Sequence, residues 1–405
     1  MRKFKFFVII ISLFFNSFII HKDLINNFKS AEILYDEKFS NINEAFNNSK
    51  NFLNICLRGI LIQDEINNLP KNPKLSVVIP VYNSEKYISR AIISIQNQNM
   101  SDFEIILVND FSSDNTLTII EKIKTKDPRI KILNNKKNMG TLFSRSIGIL
   151  STKGKLILHL DSDDMFLNED IFSTIIDLAN KGNYDIISYK AIISSYGTNI
   201  LENKIREYWF TSHNYSKVLH QPELGLLPLK IGKTFGSFLI KDSTLCNKCI
   251  KANLYKKVLN KIGKERYSRY MILDEDRIVI YALYNMAESM KYIKLFAILI
   301  IPIIGSSTRK IHKDSEILLY KLYFCDIAIN FAKKSLENRR PIVYLLAYLL
   351  ENPALKQISE LSIYNKKLII SCVNRILNYN YISNEDKNEI LKRALKSEFL
   401  QSRKK

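Results

Sequence analysis

The chain has 405 residues, enough for roughly two or three domains and a sizeable buried core. Apolar residues make up 46% and charged residues 25%, close to globular averages, which excludes wholesale disorder and a multispan membrane protein. Lysine and arginine number 60 against 40 aspartate and glutamate, and the formal charge of +20 favours anionic partners, although the excess is spread along a Lys-, Asn- and Ile-rich chain.

Residues 1–20 read MRKFKFFVIIISLFFNSFII, with Arg2, Lys3 and Lys5 ahead of an apolar run. As a helix, the 17 residues Phe4 to Ile20 reach about 25 Å, marginal for a hydrocarbon core of about 30 Å. The basic start and short apolar centre also suit a cleaved signal peptide, but no small-x-small cleavage site follows. Residues 1–22 are therefore expected to be an uncleaved anchor with a cytoplasmic basic end. The expected protein is single-pass, with a lumenal catalytic domain in the Golgi or ER; cleavage would make it secreted. Residues 23–73, polar, Asn-rich and closed by Pro70 and Pro73, read as a stem and linker.

From Leu75 short apolar runs alternate with helical periods. Strands are expected at 75–79, 104–109, 129–133, 155–160 and 184–189, and helices at 84–97, 113–126, 140–150 and 169–181. That alternation predicts βαβ units: an α/β fold whose parallel or mixed sheet is flanked by helices. Further on, helices are expected at 252–262 and 276–287. The run at 298–304, short and containing Pro302, reads as a buried strand and not a membrane span. Residues 309–405 read as a helical C-terminal region, with helices at 316–335, 341–350, 365–377 and 385–399.

Ligands of open α/β sheets bind beyond the carboxyl ends of the strands. The first strand ends in Pro80-Val81-Tyr82-Asn83-Ser84-Glu85, the second in Asn109-Asp110-Phe111-Ser112, and the fourth in Asp161-Ser162-Asp163-Asp164. An aromatic face can stack on a base, and a carboxylate can accept base or ribose hydrogens. Carboxylates two positions apart can hold a hard divalent cation beside a diphosphate. A solvated turn or a helix N-cap would use the same aspartates, though three of them after an apolar strand is more than a cap needs.

Four ordered blocks, PVYNSEKYISRAIISIQNQ, EIILVNDFSSDNT, NMGTLFSRSIG and GKLILHLDSDDMF, closely resemble family 2 glycosyltransferases of the GT-A fold over residues 75–190. The resemblance implies a nucleotide-sugar half at 74–190 and an acceptor half at 191–308. It implies that Pro80 and Tyr82 flank the nucleotide base and that Asp110 pairs with it. Asp161 and Asp163 stand at the family's DxD, which contacts the ribose and coordinates Mn²⁺ or Mg²⁺ on the donor diphosphate, with Asp164 behind them. Arg145 stands where the family reads Ala-Arg-Asn, here Ser144-Arg145-Ser146, and is assigned to the nucleotide-sugar. More loosely, Leu245-Cys246-Asn247-Lys248 resembles a Trp-Asn-Lys block without its Trp, and Leu273-Asp274-Glu275-Asp276 resembles the Glu-Asp pair whose aspartate is the general base. Asp276 is therefore the candidate catalytic residue. Ile304–Thr308 resembles the closing segment.

The implied reaction is metal-dependent, inverting transfer of one sugar from a nucleotide-sugar, of UDP-sugar type, to a hydroxyl of a glycan, glycoprotein or glycolipid. The partners are that donor, that acceptor and, through the N-terminal segment, a membrane. No nucleic-acid motif accompanies the charge. A DxD phosphatase and a non-catalytic nucleotide-binding relative are the alternatives; the first leaves the Pro80–Glu85 block unexplained, and intact Asp110, Asp161, Asp163 and Asp276 argue against the second. Processive synthases of the family carry Gln-x-x-Arg-Trp, absent around the single Trp209, so single-sugar transfer is expected. Cys246-x-x-Cys249 has no second ligand pair for zinc, and a local disulfide or two reduced core thiols is expected instead. Asn-x-Ser occurs at Asn47, Asn99 and Asn214, of consequence only in a lumenal chain.

Overall fold

A computed structural model describes residues 72–193, 244–271, 275–301, 314–331 and 363–378, the short pieces 206–208, 218–220, 230–231 and 238–239, and isolated positions between 342 and 392. Residues 1–63 and 198–202 lie outside the described residues. Every element below belongs to one compact unit, residues 64–197 and 203–405.

Strands β1 (Leu75–Val81), β2 (Phe103–Asn109), β3 (Ile130–Asn134) and β4 (Leu156–His159) pair in parallel, in the order β3-β2-β1-β4. They are joined by helices α1 (Ile88–Gln96), α2 (Thr116–Lys124) and α3 (Thr141–Leu150). Both faces are covered, so these strands are apolar almost throughout. Successive side chains point to opposite faces. Val78, Ile106, Val108 and Ile157 enter one core, and Val77, Ile79, Ile105, Leu107 and Leu158 the other. On the second face, α1 contributes Ile88, Ile92 and Ile95, one apolar stripe of a helix, and α4 (Ile171–Gly182) contributes Phe172 and Ile175. On the first face α3 lies directly against the sheet through Gly148, where a Cβ would sit 2.6 Å from Val78 Cγ1. Pro80 is tolerated in a central strand because the β1–β4 ladder ends at Val78–His159, two positions earlier.

Beyond β4 the sheet becomes mixed. Strand β5 is Met165–Phe166, β6 Ile186–Ile193, β7 Arg206–Tyr208, β8 Val218–His220, β9 Lys230–Ile231, β10 Phe238–Leu239, β11 Lys248–Lys251 and β12 Ser289–Ile300. β11 inserts antiparallel between β4 and β6, and β12 runs parallel to β6. β7 and β8 pair at the margins of this sheet, while β9 and β10 form a separate hairpin. Helices α5 (Ala252–Ile262), α6 (Lys264–Tyr267) and α7 (Glu275–Met286) follow, and α8 (Asp314–Phe331) and α9 (Ile363–Leu377) share one apolar core with α5 and α7. At that junction the buried Asp326 of α8 meets three guanidiniums: Arg266 at 3.1 Å, Arg269 at 2.7 Å and Arg375 at 2.6 Å.

The expected α/β architecture with a parallel-to-mixed sheet is the one observed. Several bounds move. The helix expected from Ser84 starts at Ile88, because the Ser84 carbonyl accepts Tyr87 N–H and starts a turn there. The strand expected at 298–304 is instead β12, which begins at Ser289 with Met290 and Tyr292 buried and ends at Ile300. The expected helices at 341–350 and 385–399 lie almost wholly outside the described residues.

The expected single-pass placement is corrected: no helix among the described residues is long and apolar enough to cross a membrane. The expectation rested on residues 1–22, which lie outside the described residues.

Candidate active site

The carboxyl ends of β1, β2 and β4 form one edge. Two loops there are stitched together: Asn83 N–H donates to Ser112 Oγ at 3.1 Å, Ser113 N–H donates to Asn83 Oδ1 at 2.8 Å, and Ser84 N–H donates to Thr116 Oγ1 at 2.7 Å. Glu85 Oε2 accepts both the backbone and side-chain N–H groups of Asn115. Asn83 and Phe111 have φ of 47° and 64°, the left-handed region, which is unusual for a side chain as bulky as phenylalanine. Tyr82 is 49% exposed and Phe111 57%, so adjacent strand ends each carry an uncovered aromatic ring. Tyr82 was expected here and Phe111 was not. Its position directly after Asp110 is the signal that would have found it. Pro80 is half-buried below them.

Asp110 is buried and accepts three hydrogen bonds. Its Oδ1 accepts Asn135 Nδ2–H at 2.7 Å and Met139 N–H at 2.8 Å, and its Oδ2 accepts Gly140 N–H at 2.8 Å. In this structure the carboxylate expected to face the base holds the 135–140 loop against β2. Asn135, which the sequence reading passed over, shares that role and also donates to Ser144 Oγ at 2.9 Å.

Arg145 projects from α3 with only 3% of its side chain exposed. One terminal nitrogen donates to Asp161 Oδ1 at 3.0 Å; the other bonds Asp276 Oδ1 and lies 3.6 Å from Glu275. Burial disfavours its charge, but Asp276, Asp161 and Glu275 outweigh that and raise its pKa well above the ordinary value. Arg145 thus joins the acidic loop after β4 to the acidic start of α7, two regions the sequence places far apart. The second oxygen of Asp276 accepts Leu245 N–H at 3.0 Å. Leu245 opens the Leu-Cys-Asn-Lys block, which is pinned by Lys248 Nζ donating to Thr244 O and Asn247 Oδ1, each at 2.7 Å.

These crowded carboxyl groups are perturbed upward. Burial and the neighbouring Asp276 push Glu275 up to about 8, against the pull of Arg145. Burial also raises Asp276, while Arg145 and the Leu245 N–H hold its carboxylate form. Burial and Asp161 push Asp163 up to about 6, and burial with both neighbouring aspartates raises Asp164 well above its usual range. The backbone carbonyl of Asp163 is held by Arg90 at 2.6 Å, and Ser162 Oγ meets Ser84 Oγ at 2.7 Å, which ties this loop to the end of β1.

Bonds of about 2.0–2.3 Å to oxygen or sulfur place the donors of one cation about 3–4.5 Å apart. Asp161, Asp164 and Cys246 each present a donor atom within 4.8 Å of the others, so with little movement this set fits a divalent cation. Among the described residues Asp163 is in no such group of three. Cys246, expected as a partner in a local disulfide or as a reduced core thiol, is a free buried cysteine at this edge, and Cys249 is also free and buried. Asp274 and the segment 304–308 lie outside the described residues.

Residues 76–240 match the family model described as glycosyl transferase family 2. An uncharacterised glycosyltransferase of Haemophilus influenzae is 44% identical over 93 residues, 23% of this chain and 29% of the relative. The GalNAc(5)-diNAcBac-PP-undecaprenol beta-1,3-glucosyltransferase of Campylobacter jejuni is 38% identical over 111 residues, 27% of this chain and 36% of the relative. The alignments thus span about a third of each relative's own length, 29% and 36%. The crystal structure of S. aureus TarS 1-349 in complex with UDP-GlcNAc superposes with a TM-score of 0.53 at 16% identity, covering 80% of this chain and 89% of that one. At that identity the superposition shows a common fold.

Proposed function

We propose, from the premise that residues 76–240 belong to glycosyl transferase family 2, that the chain moves a single sugar, with inversion, from a nucleotide-sugar of UDP-sugar type to an acceptor hydroxyl on a glycan, protein or lipid. The observation that carries this reading is the Arg145 bridge, which sets a donor-side carboxylate, Asp161, and an acceptor-side carboxylate, Asp276, on one guanidinium. The UDP-GlcNAc in the TarS complex supports a UDP-sugar as the first donor to test.

Tyr82 and Phe111 offer ring faces for a base at the ends of β1 and β2. Asp110 acts through the 135–140 loop, setting the wall beside that base. Asp161 is the carboxylate common to the Asp161–Asp163 pair and to the Asp161–Asp164–Cys246 set. A divalent cation bound there supplies Lewis-acid stabilisation of the charge that develops on the departing diphosphate. Asp276, whose carboxylate form Arg145 favours against the effect of burial, takes the proton of the acceptor hydroxyl as that oxygen attacks from the face opposite the leaving group. Glu275, pushed up to about 8 by burial and by Asp276, holds its proton more firmly than an ordinary glutamate, which favours Asp276 as the base.

The test is a screen of nucleotide-sugars for hydrolysis and transfer, with Mn²⁺ and with chelator. Turnover of one UDP-sugar with Mn²⁺, lost on chelation and restored by added metal, is the expected result. Release of inorganic phosphate from phosphate monoesters with no sugar-nucleotide turnover would replace this reading with a phosphatase.

A further inference from the structure

We propose that Cys246 supplies a thiolate ligand, beside Asp161 and Asp164, to the divalent cation of this site, and that the site consequently favours thiophilic cations over Mg²⁺. The inference rests on the transferase reading and extends it to the ligand set and the class of metal.

Strand register is the first argument. β11 pairs antiparallel with β4, Lys251 opposite Leu156 and Cys249 opposite Leu158. The turn that precedes β11, in which Lys248 N–H donates to Leu245 O at 3.1 Å, therefore lies at the end of β4 that leads into the acidic loop. The thiol thus reaches the acidic loop because of how β11 enters the sheet, and the contact is local to neither segment. The donor atoms of Asp161, Asp164 and Cys246 accordingly lie within 4.8 Å of one another.

The sulfur itself is the second. Cys246 is 2% exposed, and its thiol is in no disulfide and no hydrogen bond among the described residues. Its backbone is fixed on both sides: the Cys246 carbonyl accepts Tyr189 O–H at 2.9 Å, and the preceding Leu245 N–H donates to Asp276 at 3.0 Å. A buried sulfur on a backbone held at both these points, beside two carboxylates, is placed to bind a metal.

Charge and free valence agree. Asp161, Asp163, Asp164, Glu275 and Asp276 share this region with Arg90, Arg145 and Lys248, so among these named residues carboxyl groups outnumber cations. Asp161 gives one oxygen to Arg145, and Asp164 gives one to Ile301 N–H at 2.9 Å. Each has a second oxygen for a cation. When the sulfur–metal bond forms the thiol proton leaves to solvent, and metal affinity is linked to pH accordingly. Thiolate is a soft ligand that suits zinc-like cations, whereas Mg²⁺ takes oxygen.

The test is titration of the full chain with Cd²⁺, with and without UDP, followed by the ultraviolet sulfur-to-cadmium charge-transfer absorption. Wild type is compared with Cys246→Ser, Asp164→Asn and Asp163→Asn, each checked for folding by circular dichroism. A band present in wild type and missing from Cys246→Ser is expected, because subtracting the two removes any signal from the other cysteines. Asp164→Asn should weaken Cd²⁺ binding roughly 10-fold or more, since even outer-shell partners contribute 10–100-fold. Asp163→Asn should retain the band. In transfer assays Cys246→Ser should raise the ratio of Mg²⁺-supported to Mn²⁺-supported turnover. Identical spectra and affinities in wild type and Cys246→Ser would overturn the proposal, as would failure of wild type to bind Cd²⁺ under either condition. A Cys246-dependent band in a protein that turns over no nucleotide-sugar would leave the ligand assignment standing and overturn the transferase reading instead.

Discussion

Gly140 lies directly against Met271: a Cβ built on Gly140 would come within 2.7 Å of the Met271 carbonyl oxygen and 2.9 Å of its nitrogen. The same carbonyl accepts Thr141 N–H at 3.1 Å, so the start of α3, which carries Arg145, rests on the chain that leads into α7, which carries Asp276. Gly140 also has φ +85° and ψ 167°, a backbone region that is essentially glycine's own.

Gly140→Ala should therefore damage both stability and transfer. Backbone strain alone costs about 1–3 kcal/mol, and the clash is with backbone atoms that cannot swing aside. Denaturant unfolding should show a lower midpoint, and transfer should fall in the protein that remains folded. An unchanged midpoint would mean the Gly140–Met271 contact is looser than described.

Asp276→Asn keeps the size and most of the hydrogen bonding of the side chain but removes its ability to take a proton. Transfer should drop by about 10²–10⁴-fold, the range of general-base catalysis, while donor affinity stays near wild type. Glu275→Gln is the matched control and should keep most of its activity. If the losses are reversed between the two variants, the base is Glu275. Titration of each variant with a UDP-sugar separates binding from turnover.

Glu275 also carries a pH signature. Its folded pKa, about 8, lies above the ordinary glutamate value of 4.5, so between those limits the folded protein holds more protons than the unfolded chain. The contribution to stability is fully present below about pH 4.5 and is lost as pH rises through about 8. Thermal unfolding across this window should show wild type losing stability with rising pH, and Glu275→Gln should flatten that slope. Equal slopes in the two proteins would place the raised pKa elsewhere.

Asp326 faces Arg266, Arg269 and Arg375 with 2% of its side chain exposed. Asp326→Asn leaves those guanidiniums without the buried countercharge. Removing one partner of a buried ion pair costs about 3–5 kcal/mol, and the partial exposure of Arg266 and Arg375 places the expected loss toward the lower end. The variant should unfold at lower temperature, with α8 and α9 losing hydrogen-exchange protection first. Protection lost uniformly across the chain would mean the cluster does not anchor those helices in particular.

Much of residues 75–190 was legible in the sequence because its signals are local. β1 and β2 are continuous apolar runs, which is what strands buried on both faces require, and each ends in polar residues at the carboxyl edge where ligands bind. Tyr82, Arg145 and Asp161 all lie at or near that edge. Helix bounds were less legible: a capping turn such as Ser84–Tyr87 is as polar as a helix start. β12 was placed too late because Lys291 and Lys294 break up its apolar run, and only the buried alternation of Met290 and Tyr292 marks it as a strand.

By itself the sequence determined the α/β alternation, the order of the motifs and the residue types at the strand ends, all of which depend on neighbours a few positions apart. Tertiary structure decided what those residues face. Arg145 and Asp276 are 131 positions apart, and only the packing of α3 beside α7 makes them partners. Asp110 points at the 135–140 loop because β3 runs alongside β2 and delivers Asn135 and the Met139 and Gly140 N–H groups to it. Cys246 stands beside the aspartates because β11 enters antiparallel to β4, a reversal that no local pattern near Cys246 encodes. Local periodicity fixes which elements form. Which charges then meet depends on strand order and register, and these are set by burial across the whole sheet.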